Sequence, residues 1–260
     1  MHVTADRVVI EGPHATLLPA TSLHVATGQL VVVQGPPGRG LTGLGLALAG
    51  RMRVTAGSVA VYEQPGGVAD ADGSDRGGAH RLRERAALID APGVTEPDGA
   101  LPLRVVVGEE LALARRPASR ADVAEWLSAR ELTRHTGTRF EDVPADVRTF
   151  VLTTLAATRP GVRLLVLDTP DRHGWDTTQW LETARRCAAR DFAVVVLVAT
   201  THPSVLPVPP ARIGTDDQPP PLTLREGIAA DSGECDGNDT DAHTGSATTT
   251  TGGTGEGDRR

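Results

Sequence analysis

Lysine is absent from this sequence, because all 26 basic residues are arginine. No site in the chain can therefore use a lysine ammonium. Cysteine is scarce, and since Cys235, one of the two, lies in an acidic terminal stretch, we expect no structural disulfide and a reducing, cytoplasmic location. Long apolar runs are also missing. The longest, Ala193–Ala199, is far shorter than the roughly 20 residues that a membrane-spanning helix needs, and no apolar segment near the N-terminus predicts a signal peptide.

Acidic charge is concentrated at one end of the chain. The net charge is −7, and residues 226–260 carry eight acids and two arginines, which leaves the rest near neutrality. A basic face for nucleic acid is therefore excluded. Beyond Ile228 no aliphatic residue larger than alanine occurs, so this segment cannot bury enough surface to offset its ordering entropy. The sequence predicts a disordered acidic Thr/Gly-rich tail at 229–260.

Apolar runs and helical patterns alternate along the rest of the chain. Continuous aliphatic runs at Leu30–Val33, Leu164–Leu167 and Ala193–Ala199 are typical of central strands in a parallel sheet. Weaker runs predict further strands at Arg7–Ile10, Ser58–Tyr62, Ala86–Ile89 and Leu222–Leu224. Helices are predicted at Leu41–Arg51, Leu103–Arg115, Arg120–Glu131, Asp146–Thr158 and Asp176–Ala189, and a loop at Gly66–Gly78. This alternation indicates an α/β fold with a mostly parallel sheet, and the block at about 91–160 a helical subdomain.

A glycine-rich segment follows the first continuous run, with the sequence Gly35-Pro36-Pro37-Gly38-Arg39-Gly40-Leu41-Thr42. Its spacing matches the phosphate-binding pattern G-x-x-x-x-G-K-[ST], in which backbone N–H groups and a helix N-terminus surround phosphate oxygens. Leu41 stands at the lysine position. This removes a charged hydrogen bond that contributes about 1.5–3 kcal/mol and places an apolar group near the phosphates. Arg39 is a candidate surrogate, and a strand–helix turn without a ligand is the alternative.

Polar residues end the other two continuous runs. Asp168 closes Leu164–Leu167, and an acid there can hold Mg²⁺ beside a phosphate loop; an N-cap or turn role is the alternative. Thr169 follows, where a glutamate often activates water, and it offers no base of useful pKa. His202 comes just past Ala193–Ala199, where it could polarise a γ-phosphate or be a surface loop residue.

The order of these features resembles the nucleotide-binding domain of ABC transporters, over roughly residues 3–228. Segments Gly57–Val61, Leu103–Leu111 and Leu222–Gly227 resemble that family's later elements. The resemblance implies a P-loop NTPase-like domain at 1–228, with its α-helical subdomain at about 91–160. It also implies ATP and Mg²⁺ as cofactors and His202 as a weak catalytic candidate. The implied nucleotide-binding residues are Gly35, Gly38, Arg39, Gly40, Leu41 and Thr42, and the implied metal-binding residues are Thr42 and Asp168.

Five chemical positions of that family are altered together. Leu41 replaces the lysine, Thr169 the glutamate and Asp90 the glutamine. No glycine pair occurs in Val143–Arg148, where the family has LSGGQ, and no aromatic residue lies near Gly12–His14 to stack on adenine. Asp176 is a rough match to the D-loop, and His202 is unchanged. Five changes together indicate a degenerate member that is no longer selected to hydrolyse ATP.

Three functions follow from these observations. The first is an ATP-binding-cassette subunit of a membrane transporter complex, with weak or absent hydrolysis. It would dock on a multi-span, permease-like partner through residues around 90–115, and would lie at the membrane only through that partner. It could pair with itself or with an intact cassette. The second is an active ATPase that uses Arg39 in place of the lysine. The third is a non-catalytic regulatory or scaffolding protein that works through its acidic tail.

Overall fold

The computed structural model describes residues 1–63, 75–174 and 176–224. The predicted disordered tail at 229–260, Cys235 and most of the predicted loop Gly66–Gly78 lie outside these residues. The chain divides into a compact unit, Met1–Glu226, and the remaining segment Gly227–Arg260. The domain boundaries that the sequence suggests stay a prediction.

The elements alternate along the chain as an α/β fold requires. In order they are β1 (His2–Glu11), β2 (Thr16–Ala26), β3 (Gln29–Gln34), α1 (Leu41–Leu48), β4 (Ala56–Tyr62), α2 (Asp75–Arg85), β5 (Ala86–Ile89), α3 (Leu103–Leu113), α4 (Arg120–Ser128), α5 (Ala145–Ala157), β6 (Leu164–Asp168), α6 (Thr177–Ala189), β7 (Ala193–Val198), β8 (Ala211–Arg212) and β9 (Leu222–Thr223).

The central sheet has the order β5-β6-β7-β3-β8 and is parallel throughout that path. Strand β9 adds to β3 in the antiparallel direction. Every residue of β5, β6 and β7 is buried, which explains why these strands are continuously apolar, apart from Asp168 at the end of β6, instead of alternating. The α/β class and the mostly parallel sheet that the sequence predicts are confirmed.

Two apolar clusters cover the two faces of this sheet. On one face Val32, Leu165 and Val194 pack with helices α3 to α6. On the other face Val33 and Val166 pack with α1 and with the small antiparallel sheet β2-β1-β4. Helices α3, α4 and α5 all fall within 91–160, where the sequence predicts a helical subdomain. Among the described residues, no helix has both the length and the apolar character needed to cross a membrane.

The structure differs from the sequence prediction in three elements, which are strands β2 and β8 and helix α2. Strand β2 is missing from the predicted set because Pro19 and several small polar residues interrupt its pattern, although its buried positions, such as Leu18 and Leu23, face the second cluster. Helix α2 begins at Asp75, so the last residues of the predicted loop Gly66–Gly78 are helical. Because glycine is a poor helix former, the glycines in this segment favour a loop prediction.

Candidate functional site

The carboxyl ends of β3, β6 and β7 bring the predicted site residues to one edge of the sheet. In the strand register, Gln34 lies opposite Val198 and Asp168 lies opposite Leu197. The Gly35 N–H donates to the Val198 carbonyl at 3.2 Å. The glycine loop, the end of β6 and the segment after β7 therefore share one edge, which is where ligands bind in open α/β sheets.

The glycine loop is held in a shape that leaves its amides free. Gly40 has φ of 92°, and a Cβ there would collide with the Leu17 carbonyl oxygen, so this position requires glycine. Arg39 N–H closes a turn onto the Pro36 carbonyl at 3.2 Å. The N–H groups of Gly38, Gly40, Leu41, Thr42 and Gly43 donate to no acceptor in the part of the chain that the structure describes. Such free amides at a helix start form an anion-binding concavity.

The base of the glycine loop is apolar. Leu41 is 4% exposed and belongs to the second cluster. A Cβ at Gly35 would collide with the Ile213 side chain and come within 3.4 Å of Leu41 Cγ, so these two apolar side chains pack around Gly35. Arg39 is exposed, and no ion pair joins it to a described residue. It is the one cationic side chain within the loop Gly35–Thr42.

Asp168 carries the least expected feature of the site. The residue is 1% exposed, and neither carboxylate oxygen has a hydrogen-bond partner among the described residues. Burial raises the pKa of this carboxyl, and the Thr42 hydroxyl, the Arg172 cation and Thr169 oppose that rise only in part. The N-cap alternative fails because these oxygens cap nothing. An orphaned carboxylate beside a threonine hydroxyl is a donor pair suited to Mg²⁺.

Thr169 occupies a strained backbone position directly after β6. Its φ is 48°, in the left-handed region that β-branched residues rarely adopt. Its N–H donates to the Leu197 carbonyl at 2.9 Å, and it begins the short 3₁₀ helix Pro170–Arg172. Its hydroxyl accepts a long hydrogen bond from Arg172 at 3.3 Å. Nothing in these contacts gives Thr169 the basicity needed to activate water.

The segment after β7 is clamped by a residue that the sequence analysis did not single out. Asp171 is 7% exposed, and its Oδ2 accepts from the N–H groups of Ala199, Thr200 and Thr201 at 2.9, 2.6 and 2.9 Å. The two threonine hydroxyls donate to the same oxygen. In the sequence Asp171 is an acid in the turn that follows a strand. Nothing in that pattern shows that its partners are the amides after β7.

His202 follows this clamped segment and is exposed. Its Nδ1 lies 2.7 Å from the Ser204 hydroxyl and accepts from the Ser204 N–H at 3.3 Å, which caps the short helix Pro203–Val205. The Gln34 side chain donates to the Thr201 carbonyl at 2.7 Å and ties this segment to β3. The structure thus brings Thr42 and Asp168 together, and places His202 at the same edge in a local capping role.

The remaining predicted positions have structural partners. Asp176 caps α6 by accepting from the Thr178 N–H at 3.0 Å. Asp90 follows β5, and Val143–Arg148 leads into α5. Arg148 and Arg172 both bind Asp90, and sequence reasoning missed that pairing because it joins segments far apart in the chain.

Comparisons with known proteins find similarity in structure and none in sequence. No protein-family model matches the sequence, and no curated protein matches it. An ABC transporter ATP-binding protein from Pyrococcus furiosus superposes with a TM-score of 0.57 at 12% identity, covering 82% of this chain and 96% of that one. A nucleotide-free ATP-binding cassette from an ABC transporter gives 0.53 at 13% identity, covering 77% and 82%.

A larger protein shows the same similarity in one part of its chain. A bacterial Atm1-family ABC exporter with ATP bound superposes with a TM-score of 0.51 at 19% identity, covering 76% of this chain and 34% of that one. At such low identities the likeness establishes the fold. The chain therefore has the fold of the ATP-binding subunits of ABC transporters.

Proposed function

We propose that this chain is a degenerate ATP-binding-cassette subunit of an ABC-type membrane transporter complex, which binds a magnesium–nucleotide complex and hydrolyses it weakly or not at all. The observation that carries the proposal is the orphaned carboxylate of Asp168, buried beside Thr42 at the same edge as the free amides of the glycine loop. A buried charge that its neighbours compensate only in part is costly to the apo protein. A bound cation would compensate that cost.

The residues of the site suit both the phosphates of a nucleotide and Mg²⁺. The amides of Gly38, Gly40, Leu41 and Thr42 would hold phosphate oxygens. Gly35 begins the loop, and Arg39 is the one cationic side chain within it. The Thr42 hydroxyl and the Asp168 carboxylate would hold Mg²⁺, which neutralises phosphate charge when it is bound.

Hydrolysis lacks its usual protein groups. Thr169 has no acid–base function at neutral pH, and the Nδ1 atom of His202 is already engaged by Ser204. Leu41 and Ile213 pack around Gly35, so the described residues at the base of the loop are apolar. These residues support binding without turnover.

The partners proposed here are a multi-span, permease-like membrane protein and a second cassette, either this chain or an intact one. Residues around 90–115 supply the proposed docking surface, in which Val94 and Leu113 are exposed by 51% and 60%. The proposed location is cytoplasmic, peripheral to the membrane through the partner.

Equilibrium binding of a fluorescent ATP analogue tests the proposal. We expect binding that depends on Mg²⁺, weakened at least about tenfold in Asp168→Asn, since one charged hydrogen-bonding group contributes about 1.5–3 kcal/mol. Asp146→Asn is the matched control, because this acid is exposed in the first turn of α5 and should leave affinity unchanged. Absence of binding, or equal affinity in both variants, would contradict the proposal.

An active ATPase is the second candidate, favoured by Arg39, which is exposed and forms no ion pair with a residue that the structure describes. Phosphate release from ATP separates the two functions. We expect no release above background with the intact chain, and release that is lost in both Arg39→Ala and Asp168→Asn would establish the active enzyme instead. A scaffolding role through the acidic tail predicts neither binding nor release.

A further inference from the structure

Five charged or titratable side chains form a cluster at the edge of the sheet beside the candidate site. They are Asp90, Glu96, Arg148, Arg172 and His173, named here the charge cluster. Asp90 and Glu96 belong to the segment after β5, Arg148 to the second turn of α5, and Arg172 and His173 to the turn after β6. The cluster therefore joins three segments that are distant in sequence.

The centre of the cluster is a buried bidentate ion pair between Arg148 and Asp90. Arg148 Nε donates to Asp90 Oδ2 at 3.0 Å, and Arg148 Nη2 donates to Asp90 Oδ1 at 2.8 Å. The side chains are 5% and 8% exposed, and the guanidinium stacks 4.3 Å from the centre of the Phe140 ring. This planar geometry is selective for arginine.

Arg172 connects this pair to the end of β6. One nitrogen, Nη1, donates to the Asp168 carbonyl at 2.6 Å, and the other, Nη2, donates to the Asp90 carbonyl at 2.6 Å. Arg172 thus fixes the backbone of the residue that carries the orphaned carboxylate. The same guanidinium lies 3.2 Å from an Asp90 carboxylate oxygen.

The remaining members close the cluster. Glu96 accepts from both Arg148 and Arg172 at 3.2 Å, and His173 Nε2 lies 2.9 Å from Asp90 Oδ2. Glu96 reaches them because Ala91 folds the segment back, with its carbonyl accepting from the N–H groups of Val94, Thr95 and Glu96 at 3.0 Å.

A metal ion is a poor occupant for this cluster. Donor atoms of Asp90, Glu96 and His173 lie within 4.8 Å of one another, a spacing that a cation could use. Two guanidinium groups already occupy the carboxylate oxygens, however, and a cation would have to displace them. The cluster is electrostatically balanced as it stands, with two carboxylates facing two guanidiniums.

We propose that the charge cluster is a latch that holds residues 91–99 and the first turns of α5 against the turn after β6, in one arrangement whether or not a ligand occupies the glycine loop. The Asp90–Arg148 ion pair holds the two segments together. The hydrogen bond from Arg172 to the Asp168 carbonyl connects them to the end of β6. The segment around the exposed Val94 therefore keeps one position in the nucleotide-free and the nucleotide-bound chain. Only the choice of ATP as a probe rests on the proposed function.

Amide hydrogen exchange on the full chain tests the latch without any nucleotide. In the paired variant Asp90→Asn with Arg148→Gln, we expect exchange at 91–99 and 145–149 to accelerate at least about tenfold, while β7 amides keep their protection. Asparagine suits the positive φ of 58° at position 90. Arg186→Gln is the matched control, since it breaks an exposed ion pair with Glu182 on α6 and should change neither segment. Unchanged exchange at 91–99 and 145–149 in the paired variant would overturn the latch.

Two further measurements keep the test decisive. If β7 also loses protection, the fold itself has failed, and Glu96→Gln replaces the paired variant, because Glu96 is 34% exposed; we expect about threefold faster exchange at 91–99, and no change would overturn the latch. In the intact chain, saturating Mg–ATP should protect amides 35–43 and leave 91–99 and 145–149 within about twofold. A tenfold change there on nucleotide binding would also overturn it. Lack of protection at 35–43 counts against the proposed function alone, since the latch is decided by the nucleotide-free comparison.

Discussion

At the scale of single residues, Asp168 is the position where stability and binding oppose each other most clearly. Its two buried oxygens accept no hydrogen bond among the described residues, and Thr42, Arg172 and Thr169 compensate its charge only in part. Asp168→Asn should therefore raise the free energy of unfolding of the apo protein by about 1–2 kcal/mol. Excess Mg²⁺ should raise the melting temperature of the parent and leave that of the variant unchanged. Thermal unfolding with and without Mg²⁺ measures both, and a variant less stable than the apo parent would contradict the assignment.

Thr169 offers a second test at a single residue, because its backbone conformation destabilises the folded protein. A non-glycine residue in the left-handed region costs about 1–2 kcal/mol, and β-branching makes the position worse. Thr169→Gly should stabilise the protein by about 1 kcal/mol, whereas Thr169→Ala, which keeps a Cβ, should gain much less. Chemical denaturation of both variants isolates the backbone effect. Equal stability changes would show that side-chain contacts, and not φ, dominate here.

Sequence patterns predict some residues of the site and miss others for a physical reason. Gly40, Thr42 and Asp168 follow from local spacing, because a strand, a glycine loop and a second strand end fix their neighbourhood. The pairing of Arg148 with Asp90 spans 58 residues. Any of the 26 arginines is a possible partner at the level of sequence, so long-range ion pairs are not predictable from it.

At the scale of elements, α1 begins with an apolar side chain that packs beneath the glycine loop. Leu41 is buried beside Gly35 at the first position of this helix. Leu41→Lys should destabilise the nucleotide-free protein by about 2–4 kcal/mol, since it buries an ammonium and loses apolar contacts. Added Mg–ATP should restore part of that loss, because phosphate gives the ammonium a partner. Leu41→Met is the volume-matched control and should cost less than about 1.5 kcal/mol; an unaltered melting temperature in Leu41→Lys would contradict burial at this position.

The elements themselves are predictable where burial is uniform. Strands β6 and β7 are buried along their whole length, and their aliphatic runs identify them to within a residue at each end. Strand β8 has two residues and carries no pattern that could reveal it. Strand β2 alternates irregularly because β1 pairs with it through several register shifts. Elements whose geometry depends on a partner strand are therefore the ones that periodicity misses.

At the scale of the whole molecule, two buried carboxylates make stability depend on pH in opposite directions. Burial raises the pKa of Asp168 above the ordinary value of 3.8. Burial acts the same way on Asp90, but hydrogen bonds from His173 and Arg148 and the charges of Arg172 and Arg148 outweigh it and hold its pKa below 3.8. Lowering the pH from neutrality should first relieve the buried charge of Asp168 and so add stability. Below pH 3.8 the Asp90 carboxyl takes up a proton in the unfolded chain but stays ionised in the folded chain. The free energy of unfolding should therefore fall.

Denaturant titration from pH 8 to pH 3 measures the free energy of unfolding of the parent and of each variant. The difference between variant and parent isolates the pH effect of Asp168 or of Asp90. Relative to the parent, Asp168→Asn should hold its advantage at neutral pH and lose it as the pH falls through the raised pKa of Asp168. The paired variant Asp90→Asn with Arg148→Gln should be weakest against the parent at neutral pH and approach it below pH 3.8. Groups common to all three proteins, such as His2 with its burial-lowered pKa, cancel in these differences. A constant gap across the range for either variant would show that its carboxylate keeps the same pKa in the folded and unfolded chains.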